Sequence, residues 1–219
     1  MDTFHTLPGA SDRLSASLAR ISEPVALDGG ETLFHQGDPG EAIYAVESGM
    51  LEVSVLSAEG RKLTLNTLGP GDVFGEIALF DGGPRTATVH ARASTRLARV
   101  RRTRLLDELG RDPDLAADLL ALAGRRLRWI STSLEEATFV HLSPRLARRV
   151  LHLAERFGER DGTLAFSQVE LAEHLGATRE AVARVIGAWR HRGWIEPARG
   201  RLRVTDASAL AREADTDPS

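Results

Sequence analysis

The chain has 219 residues, of which 42% are hydrophobic, and carries a formal net charge of −3 at pH 7. This length allows one large domain or two of ordinary size, and the longest apolar runs are too short to cross a bilayer. The absence of cysteine excludes disulfides, thiolate-bound zinc and cysteine-ligated iron–sulfur clusters. The first residues have neither the basic stretch nor the apolar run of a secretory signal, which favours a cytoplasmic protein without a membrane partner.

The first half of the chain is predicted to be rich in short strands. A short helix is expected at Leu14–Ile21, and from Val25 to Val100 apolar segments alternate with turns that contain glycine. The expected strands are 32–34, 42–46, 51–56, 63–65, 87–91 and 97–100. Strands of this length at regular spacing predict a sandwich or a jelly roll.

A long helix is predicted from Pro113 to about Val140, because Asp112 suits an N-cap and proline suits the first helical position. Apolar residues recur along it at alternating steps of three and four: Leu120, Ala123, Leu127, Ile130, Leu134 and Ala137. This heptad seam is typical of an interface between two helices. The alternative is that the stripe packs on the chain's own sandwich.

Beyond the long helix the charge of the chain changes. Ser143 and Pro144 repeat the pattern of a cap followed by proline, so a further helix is expected there, with His141–Leu142 as a hinge. Residues 143–205 carry 12 arginines and 7 acidic residues, whereas residues 1–142 carry 15 basic and 20 acidic ones. Arginine bonds phosphate and guanine bidentately, so this block favours a nucleic-acid partner. A solvated basic face fits the charge alone equally well.

Two short helices joined by a tight turn are predicted next. The first covers Gln168–Leu175 after a Ser167 cap, and the second runs from a Thr178 cap to about Arg192. Four residues suit the close crossing, the turn and the buried face of a helix-turn-helix: Ala172, Gly176, Val182 and Val185. Because a random pair of amphipathic helices rarely has all four, the motif is a strong signal.

Residues at the start of the second helix of such a motif face the major groove of DNA. Arg179 and Arg184 can bond guanine O6 and N7, and Glu180 can accept from the cytosine amino group. The alternative is an intrahelical pair of Glu180 with Arg184 on a solvated face. After Gly193 a hairpin with Arg199–Arg201 at its tip is expected, which makes the motif a winged helix-turn-helix. The candidate DNA-binding residues are Ser167, Gln168, Thr178, Arg179, Glu180, Arg184, Arg199 and Arg201.

Within the strand-rich half, Gly71–Val89 has the residue types of an anion site. Gly75 opens a turn whose backbone amides can point at an anion, and Arg85 and Thr86 add a cation and a hydroxyl. Glu76 offers an acceptor for the hydroxyls of a ligand. These groups suit one cyclic phosphate on a ribose. A structural salt bridge between Glu76 and Arg85 is the alternative.

The stretch Gly71–Val89 resembles the phosphate-binding cassette of cyclic-nucleotide-binding domains. With the winged helix, it makes the chain resemble the cyclic-AMP receptor protein/FNR (Crp/Fnr) family of bacterial transcription regulators from about Leu27 to Val204. The resemblance implies an α+β fold of two domains. A jelly roll would cover 1–111, a dimerisation helix and hinge 112–142, and the winged helix-turn-helix 143–219.

The resemblance also implies an effector site, with cAMP as the effector. The implied effector-binding residues are Gly75, Glu76, Ile77, Ala78, Arg85, Thr86, Ala87, Ser131 and Thr132. In the cyclic-AMP receptor two adjacent hydroxyl residues of the long helix contact adenine. When Arg125–Arg128 is aligned with the equivalent run of the family, these two positions fall on Ile130 and Ser131. Ile130 cannot form a hydrogen bond to a base, which leaves that contact to Ser131 or to Thr132 beside it.

The chain is therefore interpreted as a homodimeric DNA-binding transcription regulator controlled by a cyclic nucleotide, and not as an enzyme. The Arg-Glu-x-x-x-Arg pattern of Arg179–Arg184 resembles the cyclic-AMP receptor branch of the family, which implies a TGTGA-like inverted repeat. RNA polymerase is a further implied partner, and the loop Phe157–Gly162 corresponds to the family's contact with it.

Three alternatives stay open. A regulator of the same family that is active without an effector fits the departure at Ile130. An enzyme that uses Glu76 as an acid or base lacks a nucleophile–base pair, a metal cluster and a phosphate loop in the sequence. A haem sensor is disfavoured because the seven histidines show no ligand spacing, and we expect no bound metal.

Overall fold

A computed structural model describes residues 12–216 of the protein. Contacts within this part of the chain divide it into two compact units, residues 12–61 with 65–129 and residues 62–64 with 130–216. Within residues 12–216, none of the helices is long and apolar enough to span a membrane.

The first unit consists mainly of two antiparallel sheets. Its elements are α1 (Asp12–Ile21), β1 (Glu23–Leu27), β2 (Thr32–Phe34), β3 (Ala42–Ser48), β4 (Leu51–Leu56), β5 (Lys62–Leu68, counted here although residues 62–64 group with the second unit), β6 (Val73–Phe74), α2 (Ile77–Asp81), β7 (Thr88–Ala91), β8 (Thr95–Arg101) and α3 (Arg102–Arg111). One sheet has the strand order β1-β8-β3-β6 and the other β2-β7-β4-β5. This arrangement confirms the predicted jelly roll.

The core of the jelly roll is formed by the inner faces of both sheets. One apolar cluster joins them: Leu27, Ala42, Tyr44, Val46, Leu51, Leu68, Phe74, Val89, Ala91 and Leu97. Successive residues of a strand point to opposite faces, so every second residue along β3 and β7 contributes to this cluster, and β4 and β5 add Leu51 and Leu68. The burial of these side chains holds the two sheets together.

Sequence reasoning missed β1, β6, α2 and α3. β1 is an edge strand that contains Pro24, a residue tolerated only at such edges. β6 has 2 residues and α2 has 5, too few for any periodicity. α3 fully buries only Leu105, with Leu109 partly buried against the same cluster, so its apolar stripe is too short to stand out in the sequence.

The long helix α4 (Pro113–Phe139) begins at the predicted proline. It buries Leu115, Leu119 and Leu122 in a cluster that also contains residues of α1. The heptad seam lies elsewhere on the helix: Leu120, Leu127, Ile130 and Leu134 are 70%, 66%, 49% and 67% exposed. The alternative that this stripe packs on the chain's own sandwich is therefore wrong.

The second unit contains four helices and a small sheet in addition to the end of α4. Its elements are α5 (Leu142–Phe157), β9 (Thr163–Leu164), α6 (Gln168–Leu175), α7 (Arg179–His191), β10 (Ile195–Ala198), β11 (Arg201–Val204) and α8 (Ala207–Ala214). The sheet order is β10-β11-β9. The predicted helix pair and the hairpin are confirmed, whereas β9 and α8 were missed.

The break between the two helices begins one residue before the predicted hinge. α4 ends at Phe139 and α5 begins at Leu142, so the break consists of Val140 and His141. His141 has extended backbone angles, φ −58° and ψ 156°, and is the N-cap of α5. Pro144 is thus the third residue of the helix, where its missing N–H costs nothing because first-turn amides have no helical partner.

Two hydrogen bonds join α8 to α5. The Arg148 Nε donates a hydrogen bond to the Ala214 carbonyl at 2.8 Å. The Ser143 hydroxyl donates to the Glu213 carboxylate. Leu210 of this helix is fully buried, as is Ala214. The C-terminal helix is therefore part of the core of the second unit.

Candidate functional site

The turn between β6 and α2 requires a glycine. Gly75 has φ +85°, a conformation that side chains with a Cβ rarely adopt. A Cβ there would lie 2.7 Å from the Arg85 Nη1 and 3.2 Å from the Ala42 carbonyl oxygen. The glycine thus lets the backbone pass directly over the arginine, which brings together two of the residues predicted to bind an effector.

Arg85 is held inside the first unit. Its Nη1 donates to the Gly75 carbonyl at 3.0 Å and its Nη2 to the Ala42 carbonyl at 2.9 Å. The guanidinium lies 4.2 Å from the centre of the Phe34 ring, an attractive cation–π contact. Burial lowers the pKa of Arg85 from its ordinary value. Arginine still remains charged in proteins, so a positive group lies directly beneath the turn.

Glu76 is more deeply buried, with 1% of its surface exposed. Its Oε1 accepts from the Arg126 Nη1, and the Arg126 Nη2 donates to the Val73 carbonyl. The salt bridge of Glu76 is therefore made with the long helix and not with Arg85, so the structural alternative considered for this pair is wrong.

Arg126 is a site residue that sequence reasoning missed. It lies in the run Arg125–Arg128 of α4, whose side chains point in different directions around the helix. A signal did exist: a glutamate buried in a jelly roll requires a cation, and this run supplies several. Which arginine reaches Glu76 depends on how α4 packs on the sandwich, and the sequence does not specify that.

The other predicted effector residues differ in exposure. Ala78 and Ala87 are buried, whereas Ile77 is 40% exposed and Thr86 is also exposed. A Cβ on Gly40 would collide with Ala78, which shows how closely the backbone approaches α2. Thr86 therefore offers an accessible hydroxyl beside the buried Arg85.

Ser131 and Thr132 lie on α4 within the second unit. Ser131 is exposed and Thr132 is half-buried. Their predicted contact with a base stays a prediction.

Two atoms of the cassette have no hydrogen-bond partner among the described residues. They are the Glu76 Oε2 and the Arg85 Nε, both shielded from solvent. A buried polar atom without a partner costs free energy. The turn therefore combines a cation, a carboxylate with a vacant acceptor, and backbone amides, which together can bind an anion that also carries a hydroxyl.

In the second unit, the predicted caps of both motif helices are present. Ser167 and Glu170 form a capping box on α6: the Glu170 amide donates to the Ser167 Oγ at 3.2 Å and the Ser167 amide to the Glu170 carboxylate at 2.6 Å. The Ala181 amide donates to the Thr178 hydroxyl at 3.2 Å at the start of α7. Gly176 has φ +60° and makes the turn.

α7 is buried on one face and exposed on the other. Val182 is buried as predicted, Val185 is only half-buried, and Ile186 and Trp189 complete the buried face. Ile186 lies about one helical turn after Val182, so the centre of the buried face runs through these two residues and Val185 lies at its edge.

The side chains predicted to read bases lie on the exposed face of α7. Arg179, Glu180 and Arg184 are all exposed. Within the part of the chain that the structure describes, no ion pair joins Glu180 to Arg184, although the spacing would allow one. The intrahelical alternative is therefore not what the structure has. Gln168, at the start of α6, is half-buried.

The wing is the hairpin of β10 and β11. Ala198 pairs with Arg201, and Gly200 has φ +72° at the tip. Arg199 and Arg201 are exposed there, whereas Arg203 forms an ion pair with Glu196 at 3.2 Å. Arg203 is exposed as well, so what distinguishes the two arginines at the tip is that neither is paired with a carboxylate of the described residues.

Comparison with known proteins agrees with this architecture. Residues 24–112 match the cyclic nucleotide-binding domain family, and residues 144–213 match the Crp-like helix-turn-helix domain family. The CRP-like cAMP-activated global transcriptional regulator of Mycobacterium tuberculosis is 33% identical over 211 residues, which cover 94% of each chain. This chain belongs to the Crp/Fnr family of transcription regulators.

Other members of the Crp/Fnr family are similar as well. The cyclic AMP receptor protein of Thermus thermophilus is 35% identical over 184 residues, 83% of each chain. The solved structure of a CRP/FNR-family transcriptional regulator from the same organism has a TM-score of 0.78 and 29% identity, and covers 90% of this chain and 100% of that one. These relatives are regulators, in agreement with the expectation that the chain is not an enzyme.

Proposed function

We propose that this Crp/Fnr-family regulator acts as a homodimer whose specific DNA binding is controlled by cAMP bound at the cassette. The observation that carries the proposal is the buried cassette itself, in which the Glu76 Oε2 and the Arg85 Nε have no partner among the described residues. The Mycobacterium tuberculosis relative is a cAMP-activated regulator, which supports the choice of nucleotide.

The residues of the cassette fit a ribose cyclic phosphate. Glu76 would accept a hydrogen bond from the ribose hydroxyl through its vacant oxygen. Arg85 would bind the phosphate with its guanidinium, and the amides of Gly75–Ala78 and the Thr86 hydroxyl would donate to the phosphate oxygens. Arg126, which holds Glu76, would keep the carboxylate oriented towards the ribose. Ala87 would line the floor of the site.

Dimerisation is proposed through α4. The exposed leucines at positions 120, 127 and 134 are spaced seven residues apart and form one apolar stripe. Large apolar side chains at this spacing bury each other when two such helices pair. In the dimer, two recognition helices would meet DNA about one helical turn apart, as an inverted repeat requires.

For DNA recognition we propose base readout by Arg179, Glu180 and Arg184 on a TGTGA-like half-site. Phosphate contacts would come from the capped helix starts at Ser167–Gln168 and Thr178 and from the wing residues Arg199 and Arg201.

The proposal extends to three further points of organisation. The domain boundaries would be 1–111, 112–142 and 143–219. RNA polymerase would contact the loop at the end of α5, residues 157–162. The protein would work in the cytoplasm.

Control by an effector requires that cAMP bind the DNA-competent state more tightly, and that DNA tighten cAMP binding by the same factor. The test is a titration of labelled operator DNA with the full chain, with and without cAMP. We expect cAMP to lower the Kd for the specific site. Equal affinity with and without the nucleotide would favour the alternative of a regulator that needs no effector.

A variant separates binding at the cassette from binding elsewhere. Arg85→Leu should abolish the thermal stabilisation by cAMP, which reaches about 2.7 kcal/mol at 100 times Kd in a protein that binds it. Arg104→Leu, which removes an exposed arginine of α3, is the matched control and should keep the full effect. Stabilisation that survives in Arg85→Leu would place the nucleotide outside the cassette.

The dimer is tested by Leu134→Glu. A charge in the middle of the seam should produce monomers in sedimentation and weaken operator binding, because each monomer reads one half-site only. Leu56→Glu changes a leucine that is also exposed but lies at the end of β4, and should leave the oligomeric state unchanged. A wild-type protein that sediments as a monomer would contradict the proposed assembly.

A further inference from the structure

Arg148 of α5 bonds two other helices of the second unit. Its Nη1 donates to the Glu136 Oε1 of α4 at 2.6 Å, and its Nε donates to the Ala214 carbonyl oxygen of α8 at 2.8 Å. The arginine and glutamate side chains are 25% and 20% exposed, so the ion pair is largely shielded from solvent. The two bonds hold the arginine between the end of α4 and the end of α8.

The Glu136 carboxylate faces further positive charge on α5. Burial lowers the pKa of both Arg145 and Arg149, and the charge of Glu136 opposes this shift in each case. Together with Arg148, three arginines of α5 therefore attract one carboxylate of α4. Opposite charges attract more strongly where water is partly excluded. This attraction holds the last turn of α4 against α5.

The backbone between α4 and α5 restrains the angle of the two helices only weakly. Val140 and His141 are the residues that lie outside both helices. A few residues in such a break can absorb large changes of φ and ψ, as the hinges of proteins do. The angle between α4 and α5 is therefore defined by side chains that bond across the break, and the pair of Arg148 with Glu136 is such a bond.

The bond to Ala214 fixes the position of Arg148. Ala214 is fully buried, so its carbonyl oxygen is a rigid acceptor for the guanidinium. A side chain that is already oriented loses less conformational entropy when it forms an ion pair. The pair with Glu136 is for this reason stronger than a pair between two exposed and mobile side chains.

The angle between α4 and α5 decides how a dimer reads an inverted repeat. Leu134 of the exposed seam lies just before Glu136 on α4, whereas α7 follows α5. When two chains pair through the seam, the spacing of their two α7 helices depends on this angle in each protomer. We infer that Arg148 and Glu136 are positioning residues, whose ion pair sets the spacing of the recognition helices to that of the two half-sites. This inference rests on the proposed dimerisation through α4.

The test measures the Kd of the full-length protein, with cAMP present, for DNA that carries the TGTGA-like inverted repeat and for DNA that carries one half-site. The ratio of the two Kd values reports how well both recognition helices fit the repeat at once. Glu136→Gln and Arg148→Met each remove the ion pair and keep most of the side-chain volume. In both variants the Kd for the inverted repeat should rise about tenfold, and that for the single half-site by less than about twofold.

Two further variants separate positioning from a general effect of charge. Glu135→Gln makes the same change of charge at the neighbouring, exposed position of α4 and should keep the wild-type ratio. The double variant Glu136→Gln/Arg148→Met should lose no more than either single variant, because the ion pair is absent in all three. Losses that add, or an equal loss in Glu135→Gln, would contradict the inference.

The remaining outcomes are distinguishable as well. If Glu136→Gln and Arg148→Met keep the wild-type ratio, the inference is wrong and the proposed function stands. A loss confined to Arg148→Met would also overturn the inference, because the arginine would then act by holding α8 through Ala214. If the folded wild type binds the inverted repeat no more tightly than the single half-site, the proposed dimeric readout fails and the inference fails with it.

Discussion

The two functional regions of this protein place their polar side chains in opposite environments. In the second unit, which contains the helix-turn-helix and is called the DNA-reading unit below, Arg179, Glu180 and Arg184 are exposed on α7. The hydroxyl of Thr178 already caps the start of this helix. In the cassette, Glu76 and Arg85 are 1% and 5% exposed, and each retains a polar atom with no partner among the described residues. The charged side chains of the DNA-reading unit are solvated, whereas those of the cassette are buried and keep unpaired polar atoms.

This contrast follows from what each region is proposed to bind. DNA is a large, rigid polyanion that comes to the surface, so water can solvate the reading side chains until it arrives. A small ligand must be enclosed to be bound specifically, and the groups that enclose it lose their water beforehand.

The largest effect is expected at the ion pair that braces the cassette. Arg126→Leu should lower the free energy of unfolding by about 3–5 kcal/mol, because it leaves the buried Glu76 carboxylate without its cation. The double variant Glu76→Leu/Arg126→Leu should recover much of this loss, since neither charge is then buried. Chemical denaturation of the two variants and of Glu76→Leu completes the cycle.

Arg111→Leu is the control for this cycle. The Arg111–Glu108 pair on α3 is at 3.9 Å and the arginine is 77% exposed, so its removal should change stability by less than about 1 kcal/mol. If Arg126→Leu costs no more than Arg111→Leu, the contrast between a braced interior and a solvated surface is wrong.

An intermediate effect is expected from His152, a buried polar residue within the DNA-reading unit. Burial, assisted by Arg149 and Arg156, lowers the pKa of His152 from 6.5 to about 4. The unfolded chain therefore binds a proton near pH 6.5 while the folded chain does not. The contribution of His152 to the free energy of unfolding is fully present above pH 6.5 and should fall by about 3 kcal/mol as the pH decreases to 4.

The measurement is urea denaturation of wild type and His152→Leu at pH 7, 5.5 and 4. Carboxylates titrate in both proteins, so the difference between them isolates the histidine. The stability of wild type relative to the variant should decrease steadily over this range. A difference that does not change with pH would show that His152 binds protons equally in the folded and unfolded chain, so that burial does not lower its pKa.

The smallest effects are expected on the exposed side. Arg179→Ala should lose about 1–3 kcal/mol on the specific site and relax base preference there. Arg201→Ala should weaken binding to all sequences alike and reduce the salt slope by about one. Fluorescence anisotropy with specific and scrambled DNA at several salt concentrations separates the two. Equal behaviour of the variants on both DNAs would contradict base readout by Arg179.

The same contrast explains what the sequence could predict. The helix pair of the DNA-reading unit depends on local signals, such as Ser167 with Glu170 and the glycine at position 176, which are adjacent in the chain. Such signals can be recognised without knowing the fold, and the caps and the turn were predicted correctly. The exposed seam of α4 was predicted from its periodicity in the same way.

The missed features depend on contacts between distant parts of the chain. Arg126 lies 50 residues from Glu76, and only the packing of α4 on the sandwich selects it from its neighbours. β9 has two residues and exists because it pairs with β11, Leu202 opposite Leu164. The helix break begins one residue before the predicted hinge, because Pro144 is compatible with any position in the first turn of a helix.

The hydrogen bonds between α8 and α5 limit where the chain can be shortened. Shortening the chain before Ala207 would remove Leu210 and Ala214 from the interior and leave Arg148 without its carbonyl acceptor. Proteolytic trimming within this helix, or an affinity tag placed inside it, should therefore unfold the DNA-reading unit. Any shortening or tagging of this regulator should therefore leave α8 intact.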